Sequence, residues 1–231
     1  GAGLYIWGQV FGGNFFDATA EKFTLLDPKV VEALEWMISY ADHYGGMQAI
    51  QTFNSGLGNF WSPQNPLFTG EVAMAGFGEY IEQFNQRYGP IDYGVMPYPA
   101  PPGGRENFTT VGGSMFAIPV GTKHPEEAWR FIEWITGPEG SELMARILTN
   151  VSPRRSVTEK LVPEIPVFEY SLPILNGPNV VSQGPLTHVD QFFLDKLAEA
   201  TEAALRKQTD PRSALRQAQD AIQFEYDMTK F

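Results

Sequence analysis

The stretch Leu67-Phe-Thr-Gly-Glu-Val-Ala-Met-Ala-Gly-Phe-Gly-Glu-Tyr80 sets two bare glycines, Gly76 and Gly78, beside aromatic rings. Glycines at the end of a strand leave backbone that a ligand can approach closely. A ring such as Tyr80, in the first turn of the helix that follows, can cover the apolar face of that ligand. The free N–H groups of a helix start can take its polar edge. The same glycines equally serve a tight turn packed on a tyrosine, and both readings stand at this level. A second glycine pair, Gly112-Gly113-Ser114, precedes an apolar run and offers backbone N–H groups and a hydroxyl.

The residue types needed for catalysis are not grouped. His43, His124 and His188 share no ligand spacing. No nucleophile elbow, phosphate-binding loop or dinucleotide fingerprint occurs. Arg154-Arg155 follows Val151-Ser-Pro153 and reads as a solvated loop or a contact between lobes rather than a phosphate clamp. No pair of carboxylates stands at a spacing that marks glycoside cleavage. Asn107-Phe-Thr109 and Asn150-Val-Ser152 match the glycosylation sequon, a pattern frequent by chance.

Composition narrows the classes further. The net charge of −11 disfavours nucleic acids and anionic membranes as partners. With no cysteine, disulfide scaffolds, thiolate catalysis and cysteine zinc sites are excluded. No apolar run reaches the length of a membrane span, and Gly1-Ala-Gly-Leu-Tyr-Ile-Trp7 lacks the basic and apolar regions of a targeting peptide. The 17 Phe, 9 Tyr and 5 Trp read mostly as members of a large core, and in chains of this kind some rings line a cleft.

The elements that must position these residues are mostly helices. Asp27-Pro28 and Asp210-Pro211 each place a capping carboxylate before a proline at the first helical position. Apolar stripes follow them, through Val30, Val31, Leu34, Ile38 and Ala41, and through Ala214, Leu215, Ala218 and Ile222. His124-Pro125 opens a third helix ending at Gly137-Pro138, a fourth covers 138–148, and a fifth covers 189–206 with Phe192, Phe193, Leu197, Ala200 and Ala204 inward. Short strands are predicted at Val72–Ala75, Asp92–Met96 and Ser114–Pro119. Two proline-rich crossings, Tyr98–Arg105 and Leu161–Val167, suggest a chain that leaves one lobe, visits another and returns.

The order of these features resembles the carbohydrate-type extracellular solute-binding proteins of ABC importers. The resemblance rests on Phe68-Thr-Gly-Glu-Val-Ala-Met74, Asp92-Tyr-Gly-Val-Met-Pro97, Gly112-Gly-Ser-Met-Phe-Ala-Ile-Pro119 and Pro125-Glu-Glu-Ala-Trp-Arg-Phe-Ile-Glu-Trp134 in that order. Phe11-Gly-Gly-Asn-Phe-Phe-Asp17, Leu25-Leu-Asp-Pro-Lys-Val-Val-Glu-Ala33, Val151-Ser-Pro-Arg-Arg155 and Asp210-Pro-Arg-Ser-Ala-Leu-Arg-Gln-Ala218 agree with it.

The family implies an α/β fold of the type II periplasmic-binding-protein class, two lobes closing on a ligand by a hinge. By position, residues 1–104 and 163–231 would form the C-terminal lobe, and 105–162 a returning segment of the N-terminal lobe. On this resemblance most of that second lobe would lie outside this sequence. The apolar face carried by Ala128, Phe131, Ile132, Ile135, Leu143 and Ile147 should then be left uncovered.

Carried over by position, Tyr80 is the ring that stacks on a sugar, and Gly76, Phe77 and Gly78 form the strand-end wall. Gly112, Gly113 and Ser114 face them from the other lobe, Trp7 and Gln9 add an aromatic and a polar contact, and Phe192 and Phe193 close the pocket. The implied partners are a carbohydrate and the permease subunits of an ABC transporter, with no cofactor, metal or nucleic acid and no membrane insertion by this chain. The implied protein is monomeric when complete. It is periplasmic or extracellular, free or held by a lipid anchor on a removed N-terminal segment. The competing class is a carbohydrate-active hydrolase, which would set two carboxyl groups across its cleft at roughly 5–5.5 or 6.5–9.5 Å.

Overall fold

The structure is a computed structural model and describes residues 3–230. In chain order the first elements are α1 (Gly3–Val10), β1 (Phe16–Asp17), β2 (Lys22–Phe23), α2 (Pro28–His43), α3 (Gly46–Gly56), α4 (Ile81–Tyr88) and β3 (Thr109–Val111). There follow α5 (Pro125–Thr136), α6 (Pro138–Leu148), α7 (Arg155–Leu161), α8 (Val167–Leu175), β4 (Val180–Ser182), α9 (Asp190–Leu205) and α10 (Pro211–Met228). The chain forms two compact units: residues 3–56, 97–112 and 178–230 in the first, residues 57–96 and 113–177 in the second.

The proline-capped helices form as their sequences predict. The Asp27 carboxylate accepts the Lys29 N–H at 2.8 Å, and Asp210 accepts that of Ser213 at 3.0 Å. These bonds satisfy two of the donors that a helix start leaves free. In the first unit α2, α9 and α10 bury Val30, Leu34, Phe193, Leu197, Leu215 and Ile222 against Leu4 of α1. Tyr5, Phe15, Phe23 and Phe193 make an aromatic centre there, with ring centroids 5.0 to 5.9 Å apart. Two Gln223 contacts tie α10 to the β2 hairpin: its Oε1 accepts the Phe23 N–H at 3.0 Å, and its Nε2 donates to the Glu21 carbonyl.

Both sheets are two-stranded. β1 pairs antiparallel with β2, and β3 pairs parallel with β4, Thr110 opposite Val181. The strands expected at Val72–Ala75, Asp92–Met96 and Ser114–Pro119 are irregular instead. A strand exists only where a second backbone completes its ladder, and no such partner lies beside these runs among the described residues. Their apolar side chains stand out accordingly, with Met115 94% exposed. The crossing expected over Leu161–Val167 is also different. It is the turn between α7 and α8 inside the second unit, where Leu161, Ile165, Val167 and Phe168 are buried together.

α5 and α6 keep the apolar stripe that the sequence predicts, but most of it faces outward. Phe131, Trp134, Leu143, Ile147 and Leu148 are exposed, and of the stripe on α5 only Ile135 is buried. A contiguous apolar face of this kind marks a surface that packs against something else. Gly140 joins the two helices tightly: a Cβ there would lie 2.4 Å from the Trp134 carbonyl oxygen. No helix among the described residues is long and apolar enough to cross a membrane.

Candidate functional site

In the second unit the aromatic side chains gather around the start of α4. Phe84, buried at 4% exposure, sits beneath Phe60, Trp61, Phe68, Phe77, Tyr80 and Tyr88, with centroid distances of 5.5 to 6.1 Å. Above it two stacked pairs form. Phe60 lies on Phe77 at 4.8 Å and 28°, and Trp61 lies on Tyr80 at 5.5 Å and 30°. Offset stacking of this sort is favoured by the ring quadrupoles and is worth about 0.5–1.5 kcal/mol per pair beyond burial.

Hydrogen bonds hold the loop that carries Phe60 and Trp61. The Asn59 side chain accepts the Trp61 N–H at 2.8 Å, and the Tyr88 hydroxyl donates to the Trp61 carbonyl at 3.2 Å. Asn65, almost fully buried, donates from Nδ2 to the Phe60 carbonyl at 2.7 Å and accepts the Leu67 N–H at 2.9 Å. A buried polar side chain satisfied on both ends fixes the loop's shape. The Trp61 side chain nevertheless remains 64% exposed.

Tyr80 is half-buried, at the N-cap of α4 beside Gly76, Phe77 and Gly78. What approaches the backbone at Gly78 is the tyrosine itself: a Cβ there would lie 2.5 Å from Tyr80 Cε1. The strand-end wall is therefore a turn rather than the end of a strand. Replacing Gly78 by Ala should swing the Tyr80 ring off Trp61. The near-ultraviolet circular dichroism of the stacked pair should weaken while the melting temperature changes little, since the displaced group is the free end of a side chain. An unchanged spectrum would mean that the ring tolerates the methyl.

The expected residues of the first unit fall into two groups. Trp7 packs on Trp36 at 4.6 Å and meets Tyr98 edge-on at 5.7 Å. Gln9 is buried, and its Oε1 accepts from Arg105 Nη1. Arg105 also donates from Nη2 to Asn14 at 2.7 Å and from its backbone N–H to the Val10 carbonyl at 2.8 Å. The Gln9 carbonyl is thus committed inside the unit, anchoring the 97–112 connector rather than standing ready for a ligand. Burial lowers the Arg105 guanidinium's pKa, opposed by the charge of Asp27. Burial likewise raises the Tyr5 phenol, opposed by hydrogen bonds from Ser182 and Gln9.

Phe193 is sealed in the core, so it offers no face to a ligand; Phe192 is only partly buried on that core. Both lie on one turn of α9, and their one-residue offset puts them on different faces. Gly112 directly follows β3 and lies against Gln183, whose side-chain amide would be 2.5 Å from a Cβ at that position. Gly113 and Ser114 belong to the second unit and are exposed.

Two residues that sequence reasoning passed over stand out, Trp61 and Arg105. Trp61 sits between Gly58 and Pro63, off any periodic element, so no stripe claims it as core. Arg105 closes a proline-rich connector, where a lone cation reads as solvated. A cavity of ≈ 410 Å³ in the first unit is lined by Glu35, Ile38, Lys207 and Asp210 among others, none of them an expected site residue. Among the described residues no cluster of His, Asp or Glu could hold a metal ion.

These features can be set beside known proteins. The chain superimposes on a protein named CpMnBP1, solved with mannobiose bound, over 95% of its length at 29% identity and a TM-score of 0.78. The same protein with mannotriose bound matches equally well, at 28% identity. The sugar-binding protein MalE from the phytopathogen Xanthomonas citri shares the fold at 16% identity, covering 98% of this chain with a TM-score of 0.72. The chain spans about half the length of these structures, 55% of CpMnBP1 with mannobiose and 56% of MalE. No curated protein sequence matches it. The periplasmic-binding-protein-like fold is thereby established, and these neighbours are binding proteins rather than enzymes. The model of the family described as bacterial extracellular solute-binding protein matches residues 3–142, more than half of the chain, and the chain belongs to that family.

Proposed function

We propose that this chain contributes the sugar-contacting surface of a receptor that captures a saccharide and hands it to the permease of an ABC importer. The observation that carries the reading is the exposed Trp61–Tyr80 stack on a loop tied down by Asn59, Asn65 and Tyr88. Binding residues are disproportionately carried on loops that a rigid scaffold holds in place, and this ring stands exposed on such a loop. A pyranose has C–H-rich faces and a polar equator, so a flat aromatic platform edged by amides and hydroxyls fits it. Two of the similar structures hold mannobiose and mannotriose, which makes mannose oligosaccharides the first ligands to try.

The reading extends to the whole protein. Its ligand would lie in a cleft closed by a hinge between two lobes, the protein would be monomeric and secreted to the periplasm or cell exterior, and a lipid anchor on a preceding segment would keep it near the permease. The test is a thermal-shift and calorimetric screen of the full-length protein against a sugar panel led by mannobiose and mannotriose. A ligand present at a hundred times its dissociation constant should add about 2.7 kcal/mol to stability. Chromatography after long incubation should return the sugar intact. A panel without a single stabilising sugar would overturn the proposal. Steady release of shorter sugars, abolished by changing one carboxylate, would replace it with the hydrolase.

A further inference from the structure

We infer that Arg105 is a positioning residue for sugar capture: it docks the 97–112 connector onto α1, and the docked fraction of the free protein sets the apparent affinity. The inference rests on the capture reading above and adds to it a residue that acts without touching the sugar. The chain passes between the two units at 96–97 and again at 112–113, so each end of this connector is a crossing. Its two halves are held differently. Residues 106–111 are fixed by the β3–β4 ladder, by the fully buried Phe108, and by Asn179, whose carbonyl accepts the Thr109 N–H at 3.1 Å and whose Nδ2 donates to the Glu106 carbonyl at 2.7 Å. The half before them contains Pro97, Pro99, Pro101 and Pro102, four residues without a backbone donor.

Arg105 fastens that half. Its backbone N–H donates to the carbonyl of Val10, the last residue of α1, at 2.8 Å. Its guanidinium donates to Gln9 Oε1 and, at 2.7 Å, to Asn14 Oδ1. Gly104 lets the backbone come this close, since a Cβ there would lie 2.5 Å from the same Val10 oxygen. A cation at the C-terminal end of α1 also meets the negative end of the helix dipole. Both side-chain partners are neutral amides, which the planar fork of a guanidinium can span and an ammonium cannot. Gln9 is itself buried, and the Asn14 backbone N–H donates to Asp27, so the seat is rigid. A connector docked before the ligand arrives spares binding the cost of ordering it.

The experiment compares the full-length protein with Arg105→Ala, Arg105→Lys and Asn14→Ala, using a panel sugar that the unmodified protein binds. Arg105→Ala should weaken binding about tenfold if the connector is then docked a tenth of the time. Calorimetry should show the loss as a larger entropic penalty. Hydrogen exchange at the amides of residues 103–106 should quicken in the free variant and slow again with saturating sugar. Added methylguanidinium should recover part of the affinity, whereas Arg105→Lys should not. Asn14→Ala, which removes one exposed partner, should shift affinity and exchange the same way by less, and it carries the test if Arg105→Ala does not fold. Unchanged affinity in Arg105→Ala, or unchanged affinity and exchange in Asn14→Ala, overturns the inference and leaves sugar capture standing. So does a loss of affinity without faster exchange, which would place Arg105 on the sugar itself. Failure of the unmodified protein to bind any sugar of the panel overturns both.

Discussion

Replacing Phe84 by Ala should cost about 3–5 kcal/mol of stability in the transition that unfolds the second unit. The ring is 4% exposed and touches six other aromatic residues, so its removal takes away both the transfer energy of the side chain and the floor of the cluster. Phe60, Trp61, Phe77 and Tyr80 come from a loop and a turn, and neither can close the void without giving up the hydrogen bonds of Asn65 and Tyr88. The effect should appear twice. Urea denaturation should show the lost stability, and sugar affinity should fall because the Trp61–Tyr80 pair loses its support. Phe84→Leu, which keeps most of the volume, should do much less of either. A cost below about 1 kcal/mol for Phe84→Ala, outside the range for deleting a buried ring, would mean that the cluster is not a packed unit.

The second large effect is expected in the first unit, where adjacent phenylalanines should behave oppositely. Phe193→Ala should cost about 3–5 kcal/mol, because its ring is fully buried and stacks on Phe23 at 5.6 Å while meeting Tyr5 and Phe15 edge-on. Phe192→Ala should cost about 1 kcal/mol, the ordinary scale for a partly buried position. Its ring lies on the outside of that core with Lys196 Nζ 5.6 Å from the centroid. Chemical denaturation of the two variants side by side decides the matter. Comparable costs for both would contradict the assignment of Phe193 to the core centre and of Phe192 to its rim.

α5 and α6 present an apolar face that is largely exposed. On this stripe Phe131, Leu143 and Ile147 are exposed and Ile132 is half-buried, while Ile135 is buried. Periodicity reports that a face is apolar; what covers it is a separate fact.

The sequence by itself determined the helices that begin with a cap and a proline, because Asp27-Pro28 and Asp210-Pro211 act within one turn of chain. It also determined the family, since an ordered series of short motifs survives even where each is weak alone, and the aromatic character of the Gly76–Tyr80 region. The tertiary structure decided the rest. Whether Val72–Ala75 or Ser114–Pro119 is a strand depends on a partner backbone that no local signal supplies. Whether Phe192 or Phe193 is core depends on which side of α9 meets Phe23 and Tyr5. Gln9 is spoken for because Arg105, 96 residues away, folds back onto it. The exposed ring of the candidate site is Trp61 because Asn59, Asn65 and Tyr88 together pin its loop over Phe84. Local rules act over a few residues; these outcomes depend on contacts between segments far apart in the chain, and only the folded structure brings them together.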